Sequence, residues 1–145
     1  MDRFYVYLAG GMEGLSVNEM SDWRYDVERG IKKHYWAENY AFKPMFFDPV
    51  VSYTPFDNLK KSEREPFEYD LFKLRKSDLV IVNFNKPESI GTAMELAVAR
   101  ENRIPIIGLN ESGAALHSWV KECCTRICDT MEELIDHVAT YYLDW

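Results

Sequence analysis

Two carboxylates and a run of small residues mark where this chain has the means for chemistry. Glu95 closes the segment Ser89-Ile-Gly-Thr-Ala-Met-Glu95, in which an apolar strand gives way to a helix. Gly91 and Thr92 sit at that entry, where free N–H groups point outward and favour an anion such as a phosphate. In the first helical turn, Glu95 would meet the positive end of the dipole, which favours the ionised form that a nucleophile requires. Thr92-x-x-Glu95 has equally the spacing of a capping box, with Glu95 bound to the backbone at Thr92, and spacing alone leaves both readings open. Asp70 begins Asp70-Leu-Phe-Lys-Leu-Arg-Lys-Ser-Asp78, on a helix whose first half can face the same crevice. A solvated surface aspartate fits that pattern too. A pair of carboxylates is what glycosyl transfer uses, one to attack and one to assist. Asp78 opens the next strand at its amino end and suits a turn or cap.

A third segment, Tyr7-Leu-Ala-Gly-Gly-Met-Glu-Gly14, follows the first strand. Gly10, Gly11 and Gly14 let a backbone approach a ligand closely, and they are also ordinary turn residues. The spacing is not that of a dinucleotide fingerprint, and no acidic residue is placed to hold a ribose.

These segments need a frame that brings them together. Apolar runs of strand length alternate with amphipathic stretches of helix length, which predicts an α/β domain. The strands are expected at Phe4 to Ala9, Phe42 to Phe47, Leu79 to Phe84, Ile104 to Leu109 and Arg126 to Cys128. Leu-Val-Ile-Val at 79–82 is apolar throughout, as burial on both faces requires. A helix capped by Ser16 and Glu19 runs to about Trp36. Others are expected from Glu65 to Lys76, from Gly91 to Glu101, and from Gly113 to Glu122, with a final helix capped by Thr130 and Glu133. The whole predicts a single flavodoxin-like three-layer domain over residues 1–145. Its five-stranded parallel sheet, in the order 2-1-3-4-5, carries helices on both faces. In such a sheet ligands bind beyond the carboxyl ends of the strands, near the point where the order reverses, and the three segments meet there. The connection from Val50 to Leu59, with Tyr53 and Phe56, is the expected seat of specificity.

Bulk properties narrow the classes of function. Hydrophobic residues make up 47% of the 145, enough for a core, so a disordered chain is excluded. The net charge of −7, with Lys32-Lys33 and Lys60-Lys61 as the only dense basic pairs, argues against duplex nucleic acid but not against one small phosphate. No run of about 20 apolar residues is present for a membrane span, and the start does not resemble a signal peptide. Cys123, Cys124 and Cys128 fall within six residues and suit structural thiols in a reducing cytoplasm rather than disulfides or a metal site. His117 and His137 read as surface or packing residues.

Taken together, the segments resemble the nucleoside 2-deoxyribosyltransferase superfamily, which includes the nucleoside 5′-monophosphate N-glycosidases. The resemblance rests on Val6-Tyr-Leu-Ala-Gly-Gly-Met-Glu-Gly14, on Asp70 through Asp78, and on Ser89-x-Gly-Thr-x-x-Glu95 followed by Ile104-Pro-Ile-Ile107. It implies that Glu95 attacks the anomeric carbon to give a glycosyl–enzyme intermediate, that Asp70 positions the sugar and handles a proton, and that the Tyr7 hydroxyl orients Glu95. Gly10, Gly11, Met12, Ser89, Gly91 and Thr92 are the implied substrate-binding set. Transferases that act on free nucleosides tend to carry Asp where this chain has Ser89, and a carboxylate would repel a phosphate that a hydroxyl beside a helix N-terminus would bind. The expected substrate is therefore a nucleoside 5′-monophosphate, with water or a second base as acceptor and with no metal or organic cofactor. A homodimer or larger homo-oligomer with shared sites is also implied, with Asn110, Ser112, Ser118 or the aromatic tail from Tyr141 as candidate contributors. Two other classes fit the same segments: a module that binds a nucleotide without chemistry, and an enzyme that cleaves the nicotinamide–ribose bond of a dinucleotide.

Overall fold

The computed structural model describes residues 2–37, 42–53 and 63–144. Five strands form one sheet: β1 (Asp2–Gly10), β2 (Phe42–Phe47), β3 (Leu79–Asn83), β4 (Ile106–Leu109) and β5 (Arg126–Cys128). All neighbours pair in parallel and the order is β2-β1-β3-β4-β5, as the alternation of elements led us to expect. Helices α1 (Val17–Ala37), α2 (Arg64–Arg75), α3 (Ile90–Glu101), α4 (Ser118–Cys123) and α5 (Met131–His137) cover it.

Successive strand residues point to opposite faces, and the two cores follow from that alternation. Val6, Leu8, Ile81, Ile107 and Leu109 meet Trp23, Val27 and Ile31 of α1 and Leu134 of α5. Tyr7, Ala9, Val80 and Val82 face the other way, against Leu74 of α2 and Leu96 and Ala99 of α3. Helices therefore lie on both faces, and β1 sends Tyr7 towards the face that also carries Asp70 and Glu95.

The local signals that set the ends of the elements are mostly those of the sequence. Ser16 and Glu19 close a reciprocal capping box at α1, each side chain accepting from the other's backbone N–H at 3.1 Å. Thr130 caps α5 by accepting from Glu133. Asp78 accepts from the Tyr5 N–H and returns its own N–H to the Tyr5 carbonyl, both at 2.8 Å, which pins the start of β3 beside β1.

Two expectations need correction, and one feature is new. The helix expected from Gly113 to Glu122 is only the short α4. Gly113 takes φ 64°, and the Asn110 side chain holds both backbone groups of Ala114, so the chain cannot turn helical before His117. β4 begins at Ile106 rather than Ile104, since Pro105 has no N–H to give to a ladder. The last helix widens into a π-helical turn over Val138–Leu143, which no sequence feature announced. No helix among the described residues is long and apolar enough to cross a membrane.

Candidate active site

The segment beyond the carboxyl end of β1 and the first two turns of α2 and α3 surround one cleft. Tyr7 enters from β1, fully buried, with its ring stacked on Phe47 of β2 at 5.3 Å; Phe47 in turn meets Tyr69 of α2 edge-on at 5.9 Å. That stacking leaves the phenol a single direction, and its hydroxyl donates to Oε2 of Glu95. Asp70 lies on α2 and is buried, not solvated, because the inward side of this helix is also that of Leu71 and Leu74. Asp70 and Glu95 share the wall of a cleft of about 590 Å³. A volume of that size accommodates a small ligand. Met12, Phe67, Leu71 and Met94 give the wall its apolar character, Gly91 opens it at α3, and Glu63 and Arg64 bring charge at the start of α2.

Glu95 does not stand where spacing had put it. Ser89 is the N-cap of α3: its hydroxyl oxygen accepts from the Thr92 N–H at 3.3 Å and from the Thr92 hydroxyl at 3.0 Å. Counting from that cap places Glu95 in the second turn, and no acidic residue occupies the first. Both readings drawn from the spacing are thereby corrected. Glu95 does not cap Thr92, because Ser89 already takes that N–H, and the helix dipole does not dominate its charge. Burial does, raising its pKa to about 7; the Tyr7 hydrogen bond and Arg24 pull it down, while the nearby Asp70 pushes it up. Burial and the neighbouring Glu95 raise Tyr7 in turn, so its phenol keeps the proton it donates.

The expected binding residues divide into two groups. Met12 and Gly91 are on the cleft wall together with Asp70 and Glu95. Gly10, Gly11, Ser89 and Thr92 are not among the described residues that line it. Gly10 is buried at the end of β1, where an added Cβ would come within 2.7 Å of Trp23, and Gly11 backs onto Lys86 in the same way at 2.6 Å. Ser89 lines an adjoining apolar groove of about 850 Å³ that shares Met94 with the cleft. Thr92 is buried and braces the cap. A further depression of about 840 Å³ lies beside α1 and α5, where Glu132 and Asp136 are exposed. Of the loop expected to set specificity, Pro49–Tyr53 is a 3₁₀ turn; Phe56 and the rest of it, with the side chain of Tyr53, lie outside the described residues. Asn110 is spent on the loop of its own chain, and the His117 ring caps α4 by accepting from the Trp119 N–H at 3.1 Å. His137 stacks on Tyr141 at 5.2 Å.

Sequence reasoning missed Arg24. It is only 1% exposed, it pairs with Asp48 at 3.5 Å, and its charge acts on both Tyr7 and Glu95. Its signal was visible: Met20, Trp23, Val27 and Ile31 recur at helical spacing, and Arg24 lies on that same inward stripe.

No family model matches this chain, and no curated protein matches it. Solved structures do. A 2-deoxyribosyltransferase from Bacillus psychrosaccharolyticus superposes with a TM-score of 0.73 at 16% identity, over 97% of each chain. A conserved protein from Enterococcus faecalis V583 gives 0.72 at 15% identity, over 95% of this chain and 98% of its own. A CMP N-glycosidase from Clostridium botulinum gives 0.56 at 17% identity, over 94% and 98%. The chain thus shares its five-stranded parallel α/β fold with a 2-deoxyribosyltransferase and a CMP N-glycosidase, and that sheet has the strand order expected from the sequence. At these identities the likeness is one of fold.

Proposed function

We propose that this chain, acting as one domain over residues 1–145, cleaves the N-glycosidic bond of a nucleoside or deoxynucleoside 5′-monophosphate through a glycosyl–Glu95 intermediate. The observation that carries the proposal is the hydrogen bond from the Tyr7 hydroxyl to Glu95 at a cleft that Asp70 also lines. In the first step a Glu95 oxygen forms a bond to C1′ as the C1′–N bond breaks. The electron pair leaves with the base, which takes a proton with Asp70 as the donor. The sugar gains oxocarbenium character on the way, and the carboxylate charge stabilises it. In the second step water, or another base, attacks C1′ and releases Glu95, with the attacker's proton passing to Asp70. Two inversions give net retention. Tyr7 keeps its proton throughout and holds Glu95 in line.

The 5′-phosphate belongs at the start of α3. Helix geometry leaves first-turn N–H groups without intrahelical acceptors, and Ser89 takes only that of Thr92. Among the described residues no other group takes the N–H groups of Ile90 and Gly91, which suit an anion, and Ser89 still has a hydroxyl proton to donate. Met12, Phe67 and Met94 offer apolar surface to the base. A homo-oligomer with shared sites and a cytoplasmic location belong to the same reading. Support for the first is the apolar groove beside the cleft, where Ile90 is 77% and Trp119 79% exposed. For the second it is three free cysteines.

The test is incubation with a panel of ribo- and deoxyribonucleoside monophosphates, with and without an added second base, following free and exchanged base by chromatography. Release or exchange that vanishes in Glu95→Gln supports the proposal. Binding without turnover in the wild type would leave a nucleotide-binding module instead.

A further inference from the structure

We infer that the Arg24–Asp48 ion pair is a positioning and charge-setting element for the Tyr7–Glu95 pair, an inference that rests on the reading of Glu95 as nucleophile. Helix α1 covers the face of the sheet opposite α2 and α3, and an apolar residue is expected on its inward stripe. Arg24 stands there instead, and two of its three nitrogens donate to the end of β1. Nε–H donates to the Leu8 carbonyl at 3.3 Å, one terminal nitrogen to the Gly10 carbonyl at 3.3 Å, and the other to the Met20 carbonyl at 2.5 Å. The guanidinium therefore grips the end of the strand that carries Tyr7. Asp48, just beyond β2, completes the seat at 3.5 Å and is itself fixed by the Val50 N–H at 2.9 Å. Glycine at position 10 makes room: a Cβ there would press on Trp23 and reach within 3.4 Å of the guanidinium.

The charges around Glu95 give this arrangement its use. From β1 the Tyr7 phenol meets it and from α2 Asp70, with Glu63 and Arg64 on the same cleft wall, while the charge of Arg24 reaches it from α1 across the end of β1. Asp48 faces Arg24, and Glu28 of α1 faces Asp48. Burial and Asp70 both resist ionisation of Glu95, and Arg24 opposes them. Asp48 attenuates that cation, so the carboxylate is kept ionisable near neutral pH without the loss of nucleophilicity that a bare positive charge would bring. Removing either member of the pair should therefore move Glu95 in opposite directions, which a merely structural pair would not do.

Carbon-13 NMR titration of the Glu95 carboxyl, assigned by its disappearance in Glu95→Gln, reads this without turnover, and the pH profile of base release provides a second readout. The Glu95 inflection is expected to rise by about one pH unit in Arg24→Met, to fall in Asp48→Asn, and to stay close to the wild type in Arg24→Lys. Shifts of the same sign in Arg24→Met and Asp48→Asn, or no shift in either, overturn the inference. Should Arg24→Met fail to fold, Asp48→Asn decides alone: an inflection that does not fall overturns it. If no nucleotide is cleaved by the wild type, the nucleophile reading falls, while the titration still reports whether Arg24 sets the charge of Glu95.

Discussion

Tyr7 and Glu95 lie 88 positions apart in the chain, yet the phenol of the first donates directly to the carboxylate of the second. The contact joins β1, which lies between β2 and β3 in the sheet, to the helix that follows β3. It places a proton-keeping donor beside an acid that burial has made reluctant to ionise.

Glu95→Gln keeps the shape of the site and removes the nucleophile. Turnover should fall about a thousandfold or more, while nucleotide affinity, measured by calorimetry, stays within a few-fold of the wild type. A variant that turns over at near the original rate would exclude Glu95 as the attacking group.

Tyr7→Phe removes the hydrogen bond that lowers the Glu95 pKa. The inflection near pH 7 should then move upward, and with it the acidic limb of kcat/KM, since the attacking form is the anion. A limb that stays in place, or moves down, contradicts the assigned contact.

Glu95 also gives the fold a pH signature. Its pKa is about 7 when folded, against 4.5 for an unperturbed glutamate. Below pH 4.5 both states are protonated; between 4.5 and about 7 only the folded state holds the proton, so stability falls as pH rises and then levels off. The fall amounts to at most about 3 kcal/mol. Urea unfolding at pH 4.5 and pH 8 should show it in the wild type and not in Glu95→Gln, which gains relative stability at the higher pH.

Two glycines should respond differently to the same change. Gly10→Ala drives a methyl into Trp23 and should destabilise by about 1–3 kcal/mol. Around Gly91 nothing lies within 4 Å of an added Cβ, and alanine favours a helix, so Gly91→Ala should be neutral or stabilising by up to about 1 kcal/mol. Thermal unfolding of both variants checks the contrast.

Ser89→Asp keeps a good N-cap and adds a negative charge at the start of α3. The melting temperature should hold, while KM for a 5′-monophosphate rises by about tenfold or more relative to the matching nucleoside. An unchanged ratio of the two KM values would move the phosphate elsewhere.

Much of this protein was written in its pattern. The all-apolar 79–82 run, the alternation of strand and helix, and the Ser16–Glu19 and Thr130–Glu133 caps are local properties, set by side-chain period and by backbone groups a few residues away. They determined the elements and the end of the sheet at which a site must lie. The tertiary structure alone decided the cap at α3, where the Ser89 hydroxyl takes the Thr92 N–H and Glu95 accepts from Tyr7 instead. It also turned Asp70 inward, set Gly10 against Trp23, and carried Arg24 to the rim of the sheet. Spacing along a chain limits which groups can share a face. Charge, burial and the direction of a side chain depend on neighbours dozens of residues away, and those exist only once the sheet has closed around them.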